Sequence, residues 1–391
     1  METGSDFDLT GFLDKRPGES NERPKKLDRR RPCSTTMESD SEEEKAAVPC
    51  SARKRKATEA ESQQEDEELE EDLPPGVIPA AVIHGSKHAD GSVYRQDTHF
   101  CHRLYRLDDI RETRLKPAKL NTEKCSPNWM TCRRHNGCAM MQIFSFKLTN
   151  HSAITTVPIE LYGFMAVRDL LDPLRNYVFN RTRDDPLALY PSSDDPSSPL
   201  LIQMASPKRG IYLQARALIE FDMKIKRGEA QDEDLQLIDG ASTFSELTAF
   251  HGVYTQRIPG AGGDHGAAAA AAVDISVALL RHAVEARIHV TLSGLPEDGL
   301  RLSLLCYVSK LPQEIQLFDG FVDKSGVLIN GFVVAAVFNG PLVLYFKVKH
   351  AGRFIGRLVA FPAKAHGCSQ QSQSLDVAAA EVKVCWANLP F

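Results

Sequence analysis

Hydrophobic and polar residues alternate with a period of two in six segments of the chain after Met140. The segments span residues 140–148, 159–168, 217–226, 287–293, 342–349 and 381–386. Alternation of this kind predicts strands with one buried and one solvent-exposed face, as in antiparallel sheets. It places Phe144 and Phe146 on the same face of the first segment, and Glu220 on the solvent-exposed face of the third.

Turn-forming residues separate these segments, and no amphipathic helix lies between them. Clusters of Pro, Gly, Asn and Asp occur at 172–173, 195–196, 207–210, 296–299, 323–326 and 339–341. Many short strands punctuated in this way predict an all-β fold, an antiparallel β-sandwich, over residues 139–391. Residues 256–272 are rich in Gly and Ala and can bury little apolar surface, so we expect a flexible loop there.

The first 138 residues lack this alternation. Residues 1–76 contain no aromatic residue after Phe12 and alternate between acidic and basic runs. Such a composition buries too little apolar surface to offset the entropy of ordering, so it predicts a disordered N-terminal tail. Residues 77–138 contain apolar residues without a sustained period and are predicted to form an irregular lead-in to the sandwich.

Charge is distributed unevenly between the tail and the remainder. Residues 1–80 contain 13 Lys and Arg against 21 Asp and Glu, a net −8, which leaves a net +3 for the rest of a chain whose total is −5. Non-specific nucleic-acid binding depends on neutralising phosphates, so a nearly neutral domain has no DNA-binding signature.

The chain shows neither a signal peptide nor a transmembrane segment. Its first residues, METGSDFDLTGF, are acidic and have no apolar core. Two basic clusters, Lys25–Lys26 with Arg29–Arg31 and Arg53–Lys56, are compatible with nuclear import. We therefore predict an intracellular protein of the cytoplasm, the nucleus or both, and nine cysteines that are free thiols rather than a disulfide framework.

Three closely spaced residues at the end of the lead-in have the side chains that tetrahedral zinc prefers. They are Cys132, His135 and Cys138, and Cys125 lies a few residues earlier. Their spacing forms no CxxC pair, and no second CxxC knuckle follows. We therefore predict no metal site and no cofactor, and interpret these thiols and imidazoles as packing residues.

The segment Tyr162–Pro186 groups Arg, Asp and Asn residues in two turns that flank an apolar strand. The candidate structural or binding cluster comprises Arg168, Asp169, Asp172, Arg175, Asn176, Asn180, Arg181, Arg183, Asp184 and Asp185. Asp and Asn favour turns because their side chains bond to nearby backbone. We predict an internal Arg–Asp network with Asx turns at two corners of the sandwich, and expect the two turns to lie close together.

Two binding functions are the alternatives for this cluster. Carboxylates in loops at one end of a sandwich favour Ca²⁺, and Asp169, Asp172, Asp184, Asp185 and Asp194–Asp195 would supply them in a calcium- or lipid-binding module. The interleaved arginines argue against a cation site. Arg175, Arg181 and Arg183 would instead suit a phosphate or an acidic partner.

Sequence templates of common enzymes do not occur in the chain. It has no phosphate-binding loop after a strand, no GxSxG elbow and no HExxH helix. We therefore predict a non-enzymatic module that binds an unknown protein partner.

The segments Gly163–Asp169 and Arg175–Asp184, with Asp172 between them, resemble the signature of a plant domain-of-unknown-function family, number 6598. Further segments that resemble this family are Gln142–Lys147, Pro207–Ile211, Ala283–Ile288 and Val382–Trp386. The resemblance covers about residues 139–388. The chain departs from the family pattern in the Gly/Ala insert near 260–272 and at Ala378–Ala380.

Some grass members of that family are joined to a ribosome-inactivating N-glycosidase domain, so the resemblance implies an association with stress or defence. Glu285–Ala286–Arg287 is similar to the Glu-Ala-x-Arg active-site motif of those toxins. The motif here is one residue shorter and lies on a predicted strand rather than a helix. We therefore predict that it is not catalytic, and an rRNA N-glycosidase-related activity is the second alternative.

Overall fold

A computed structural model describes residues 73–114, 125–126, 128, 132, 135–154, 156–261 and 271–389. The predicted tail and its basic clusters lie outside the described residues, apart from residues 73–76. Among the described residues one short α-helix, α1, spans Phe100–Leu104, and single 3-10 turns span Ser92–Tyr94, His151–Ala153 and Gln231–Glu233. The strands are β1 (Ala81–Val82), β2 (Cys138–Thr149), β3 (Ile159–Asp169), β4 (Asp172–Arg181), β5 (Leu187–Leu189), β6 (Leu200–Ile202), β7 (Ile211–Tyr212), β8 (Ala217–Ile225), β9 (Leu235–Phe244), β10 (Tyr254–Pro259), β11 (Ala272–Ser293), β12 (Leu300–Val308), β13 (Glu314–Val322), β14 (Gly326–Val337), β15 (Pro341–His350), β16 (Arg353–Pro362), β17 (Gly367–Ser374) and β18 (Ala379–Ala387).

The strands form three antiparallel sheets, which confirms the all-β prediction. The six-stranded sheet has the order β1-β9-β8-β3-β4, with β5 beside β3. The eight-stranded sheet has the order β17-β18-β11-β2-β6, with β10 and β14 also paired to β11 and β7 to β2. The four-stranded sheet has the order β13-β12-β15-β16.

Strand β11 joins two hydrophobic cores. Its 22 residues extend for about 70 Å, several times the usual strand length. Val273, Ile275 and Val277 pack into a core shared with β3, β8 and β9 of the six-stranded sheet. Ile288 and Val290 pack into a second core shared with β12, β15 and β16 of the four-stranded sheet. The architecture is therefore two sandwich cores that share one central sheet.

The two faces of β2 do not follow the simple alternation expected from the sequence. The pairing with β11 has a bulge opposite Ser276 and Val277, where Phe144 has no partner. A bulge adds one residue and reverses the side-chain alternation beyond it. Phe144 therefore packs into the core of the four-stranded sheet and Phe146 into the core of the six-stranded sheet, so the prediction that they share a face is wrong.

The predicted Gly/Ala loop at 256–272 is partly strand. Residues 256–259 belong to β10, and Ala272 is the first residue of β11. These ends pair with each other, Pro259 opposite Ala272, so the two strands form a hairpin. Residues 262–270 lie outside the described part of the chain.

Two of the nine cysteines form a disulfide, contrary to the prediction that they are free. Cys368 on β17 is opposite Cys385 on β18 and is bonded to it. Cys101, Cys125, Cys138 and Cys306 are free thiols.

Candidate functional site

The predicted charged cluster divides into two groups at different places in the six-stranded sheet. Arg168, Asp169, Asp172, Arg175 and Asn176 lie around the β3–β4 turn and the first half of β4. The remaining members are Asn180, Arg181, Arg183, Asp184 and Asp185. They lie at the other end of β4, a strand about 30 Å long, or in the turn that follows it. The structure therefore does not bring the two turns together.

A buried carboxylate, Glu220, organises the first group. It accepts hydrogen bonds from Arg168 Nε at 2.7 Å and from Arg175 Nε at 3.1 Å, and Arg175 Nη2 bonds to its other oxygen. His88 Nε2 lies 3.0 Å from Glu220, and His88 Nδ1 lies 2.7 Å from Asp239 Oδ1. We call these five side chains the Glu220 network.

The lead-in covers the face of the sheet that carries Glu220. Leu218 and Ala241 on this face pack with Ile83, Val93 and Tyr105 in a separate small core. Glu220 therefore has no solvent exposure, although the alternation of β8 predicted a solvent-exposed position. The alternation predicts the correct face but cannot show that another segment packs over it.

Arg168 links the covering segment to the sheet through its whole guanidinium group. Nη1 donates to the carbonyl oxygens of Arg106 at 3.0 Å and Pro173 at 2.8 Å, and Nη2 donates to that of Asp109 at 3.0 Å. Its Nε is bonded to Glu220. Such a set of fixed donors is specific to arginine, so the role of Arg168 is architectural.

A second buried ion pair lies beside the β3–β4 turn. Arg209 makes a bidentate contact with Asp169, with distances of 2.6 and 2.9 Å. Asp169 Oδ1 also accepts from the backbone of Leu171 and Asp172, which is the predicted Asx turn. Asn176 bonds to the Arg209 carbonyl and to the Lys208 amide, each at 2.9 Å. These contacts attach residues 208–209 to the corner.

The second group of charged residues is held by Asp234, a carboxylate outside the predicted cluster. Arg183 bonds to Asp234 at 2.7 Å, and Tyr162 Oη donates to the same carboxylate at 2.7 Å. Arg181 pairs with Asp185 at 2.8 Å, and Asn180 and Asp184 are exposed. The predicted role in fixing turns applies here as well, but through Asp234.

The carboxylates proposed for calcium do not converge. Asp169 is paired with Arg209, and Asp172 accepts from Thr113 Oγ1 at 2.5 Å. Asp184 and Asp185 follow the far end of β4, and Asp194 and Asp195 are exposed in another loop. The alternative set of phosphate-binding arginines is also dispersed, since Arg175 is buried in the Glu220 network and Arg183 is bonded to Asp234.

A model of the family "Domain of unknown function (DUF6598)" matches residues 140–385, which is more than half of the chain. The chain belongs to the DUF6598 family. This range contains the β3–β4 turn and most of the Glu220 network.

Other comparisons are much weaker. No curated protein matches the DUF6598 chain. Human GIVD cytosolic phospholipase A2 is similar at 10% identity and a TM-score of 0.22 over 66% of this chain, which spans only 33% of that enzyme. The calcium-bound pair of C2 domains from extended-synaptotagmin 2 is similar at 9% identity and a TM-score of 0.23, with 64% of this chain and 96% of that one covered. No helix among the described residues has the length and hydrophobicity needed to cross a bilayer.

The toxin-like motif of the DUF6598 chain has a packing role. Glu285 is buried on β11, and its Oε2 accepts from the Gly210 amide at 2.7 Å. Arg287 donates to the Lys208 carbonyl at 2.7 Å. Burial raises the pKa of Glu285. Both side chains thus hold the segment that also carries Arg209.

Four potential metal ligands meet at the end of the lead-in. They are Cys125, Cys132, His135 and His366, and one donor atom from each lies within 4.8 Å of all the others. Local spacing groups Cys132 and His135 with Cys138 and has Cys125 nearby, but Cys138 is buried at the start of β2 and is not one of the four. His366 lies 241 residues beyond Cys125, so no local spacing could have indicated it.

An apolar groove lies where α1 crosses β1 and the end of β9. It has a volume of about 420 Å³, and Val82, Phe100, Leu104 and Leu170 are among its lining residues. These four side chains are 46, 66, 45 and 41% exposed. Arg216 and Glu246 also line it.

The Glu220 network determines two pKa values. Burial disfavours charge on His88, but hydrogen bonds to Asp239 and Glu220 outweigh burial and raise its pKa from 6.5 to about 9. Burial also disfavours the Glu220 carboxylate, but His88, Arg168 and Arg175 outweigh that effect and lower its pKa from 4.5 to about 2. His88 and Glu220 are therefore both charged at neutral pH.

We expect Glu220→Gln to lower the free energy of unfolding by roughly 3–5 kcal/mol, because it leaves Arg168 and Arg175 buried without a counter-charge. Urea unfolding measures the change. Glu229→Gln, on an exposed side chain, is the matched control and should stay within about 0.5 kcal/mol of the wild type. Equal stabilities for the two variants would show that the network contributes nothing.

The raised pKa of His88 predicts a loss of stability in mild alkali. The folded pKa lies above the unfolded value, so the stabilisation is complete below pH 6.5 and is lost as the pH rises through about 9. The side chain is 4% exposed, and the full effect is at most about 3 kcal/mol. Unfolding free energies across this range should fall more steeply for the wild type than for His88→Gln. Parallel curves would contradict the assignment.

Proposed function

We propose that this DUF6598 chain is a non-catalytic β-sandwich module that binds a protein partner. The observation that carries the proposal is the apolar groove of Val82, Phe100, Leu104 and Leu170. Single exposed apolar residues are ordinary on a protein surface, but exposed apolar residues grouped around a concavity are typical of interaction sites. The occupant we expect is a partner segment that inserts an apolar side chain between α1 and β1.

The Glu220 network supports a binding function rather than catalysis. Arg168, Arg175 and Glu220 are bonded to one another or to backbone and are at most 6% exposed, so none of them faces a cleft that could admit a substrate. The calcium and N-glycosidase alternatives gain no specific support, because the aspartates are dispersed and Glu285 is bonded to backbone. The module is therefore proposed to act through its surface.

Substitution of Phe100 and Leu104 by Ser should abolish partner binding without unfolding the domain. Proximity labelling with the full chain in cells would compare this double variant with the wild type and with Phe354→Ser, a control whose side chain is 78% exposed on β16. The same labelled proteins should appear for the wild type and the control and be lost from the double variant. Identical sets for all three chains, at equal thermal midpoints, would overturn the groove as the binding site.

Two further parts of the proposal rest on sequence alone. The basic clusters Lys25–Lys26, Arg29–Arg31 and Arg53–Lys56 support a location in the nucleus as well as the cytoplasm. Replacing Arg53–Lys56 with alanines in a fluorescent fusion should shift the protein towards the cytoplasm, and an unchanged distribution would refute import through this cluster.

The role in stress or defence is supported only by the family resemblance.

A further inference from the structure

We propose that Cys125, Cys132, His135 and His366 form a structural Zn²⁺ site. Cys132 Sγ lies 3.0 Å from His135 Nδ1, and Cys125 Sγ lies 3.7 Å from the same nitrogen and 3.2 Å from His366 Nε2. Zinc bonds of about 2.3 Å to sulfur and 2.0–2.1 Å to nitrogen place such atoms roughly 3.5 Å apart around a tetrahedral ion. The four donor atoms therefore already surround a volume of the right size for one ion.

The donor set selects the metal. Two thiolates with two imidazoles are the Cys₂His₂ combination of structural zinc sites, whereas Ca²⁺ and Mg²⁺ take oxygen ligands. Pairwise S–H···N hydrogen bonds would explain individual contacts, but they do not require all four donors to converge within 4.8 Å. Four protein ligands fill the tetrahedron and leave no position for water or substrate. The site is thus structural rather than catalytic.

The location of the four ligands shows what the ion would stabilise. Cys125, Cys132 and His135 belong to the lead-in just before β2, whereas His366 lies between β16 and β17 and is 5% exposed. Zinc would therefore cross-link the lead-in to the edge of the eight-stranded sheet. Because such a site exists only in the folded chain, the binding free energy contributes to folding.

Metal analysis of the full chain, purified under reducing conditions and reconstituted with Zn²⁺, tests the site. We expect one zinc per chain, and after exchange to Co²⁺ the intense visible bands of a tetrahedral site together with thiolate-to-cobalt charge transfer. Cys125→Ser with Cys132→Ser, and separately His366→Asn, should lose the metal. Removal of zinc with a chelator should lower the thermal midpoint of the wild type and leave the midpoints of these variants unchanged.

Matched controls separate the site from the other thiols and imidazoles. Cys33→Ser, the exposed His251→Asn, and the pair Cys368→Ser with Cys385→Ser should all retain one zinc. If a ligand variant fails to fold, the wild-type cobalt spectrum still decides, because its charge-transfer intensity reports the number of thiolates. A wild-type chain that takes up no zinc, a cobalt spectrum without thiolate bands, or equal metal content in ligand and control variants would overturn the proposal.

Discussion

The buried carboxylate of Glu220 is the centre of the network that holds the lead-in against the six-stranded sheet, and Asp239 adds a second carboxylate to it. Glu220 is bonded to two arginines and a histidine, and Arg168 extends the same network to the carbonyl oxygens of Tyr105, Arg106 and Asp109. Ion pairs of this kind add little net stability compared with apolar residues of similar volume, but the loss of one partner is costly. We infer that the network acts on specificity, because a covering segment has to offer carbonyl oxygens at these positions to pair with Arg168.

Because the Glu220 network attaches the lead-in, the six-stranded sheet has two buried faces. The inner face packs on the central strand β11, and the outer face packs on Ile83, Val93, Tyr105 and Leu107. The outer core is small, and its apolar contacts alone would not fix the position of the lead-in on the sheet. Polar contacts are therefore needed to fix that position. Within the sheet itself, the Arg175 guanidinium lies 4.2 Å from the ring centre of Phe164.

Period-two alternation was sufficient to predict an antiparallel β fold and many of its buried faces, such as Leu342, Leu344 and Phe346 on β15. The Asx turn at Asp169 also followed from residue type. Alternation failed where a backbone irregularity intervened, because the bulge at Phe144 reverses the pattern without a local signal. Alternation also gave the wrong solvent exposure for Glu220, which is bonded to Arg168, 52 residues away. The set of four potential metal ligands was missed because His366 lies 241 residues from Cys125. No local residue pattern predicts which residues so far apart in the sequence will be in contact, so these contacts cannot be inferred from a single sequence.

Function in this chain is better sought in the lead-in than in the charged run of β3 and β4. The arginine- and aspartate-rich run of Arg168–Asp185 is the most distinctive part of the sequence, yet its buried members are bonded internally. The groove and the Cys₂His₂ cluster each depend on residues before 140, outside the range that the family model matches. The physical problem of the domain, covering a polar sheet face, is solved by a segment that also supplies α1 and three of the four metal ligands. What this chain binds would then depend on its lead-in, with the double sandwich as the scaffold.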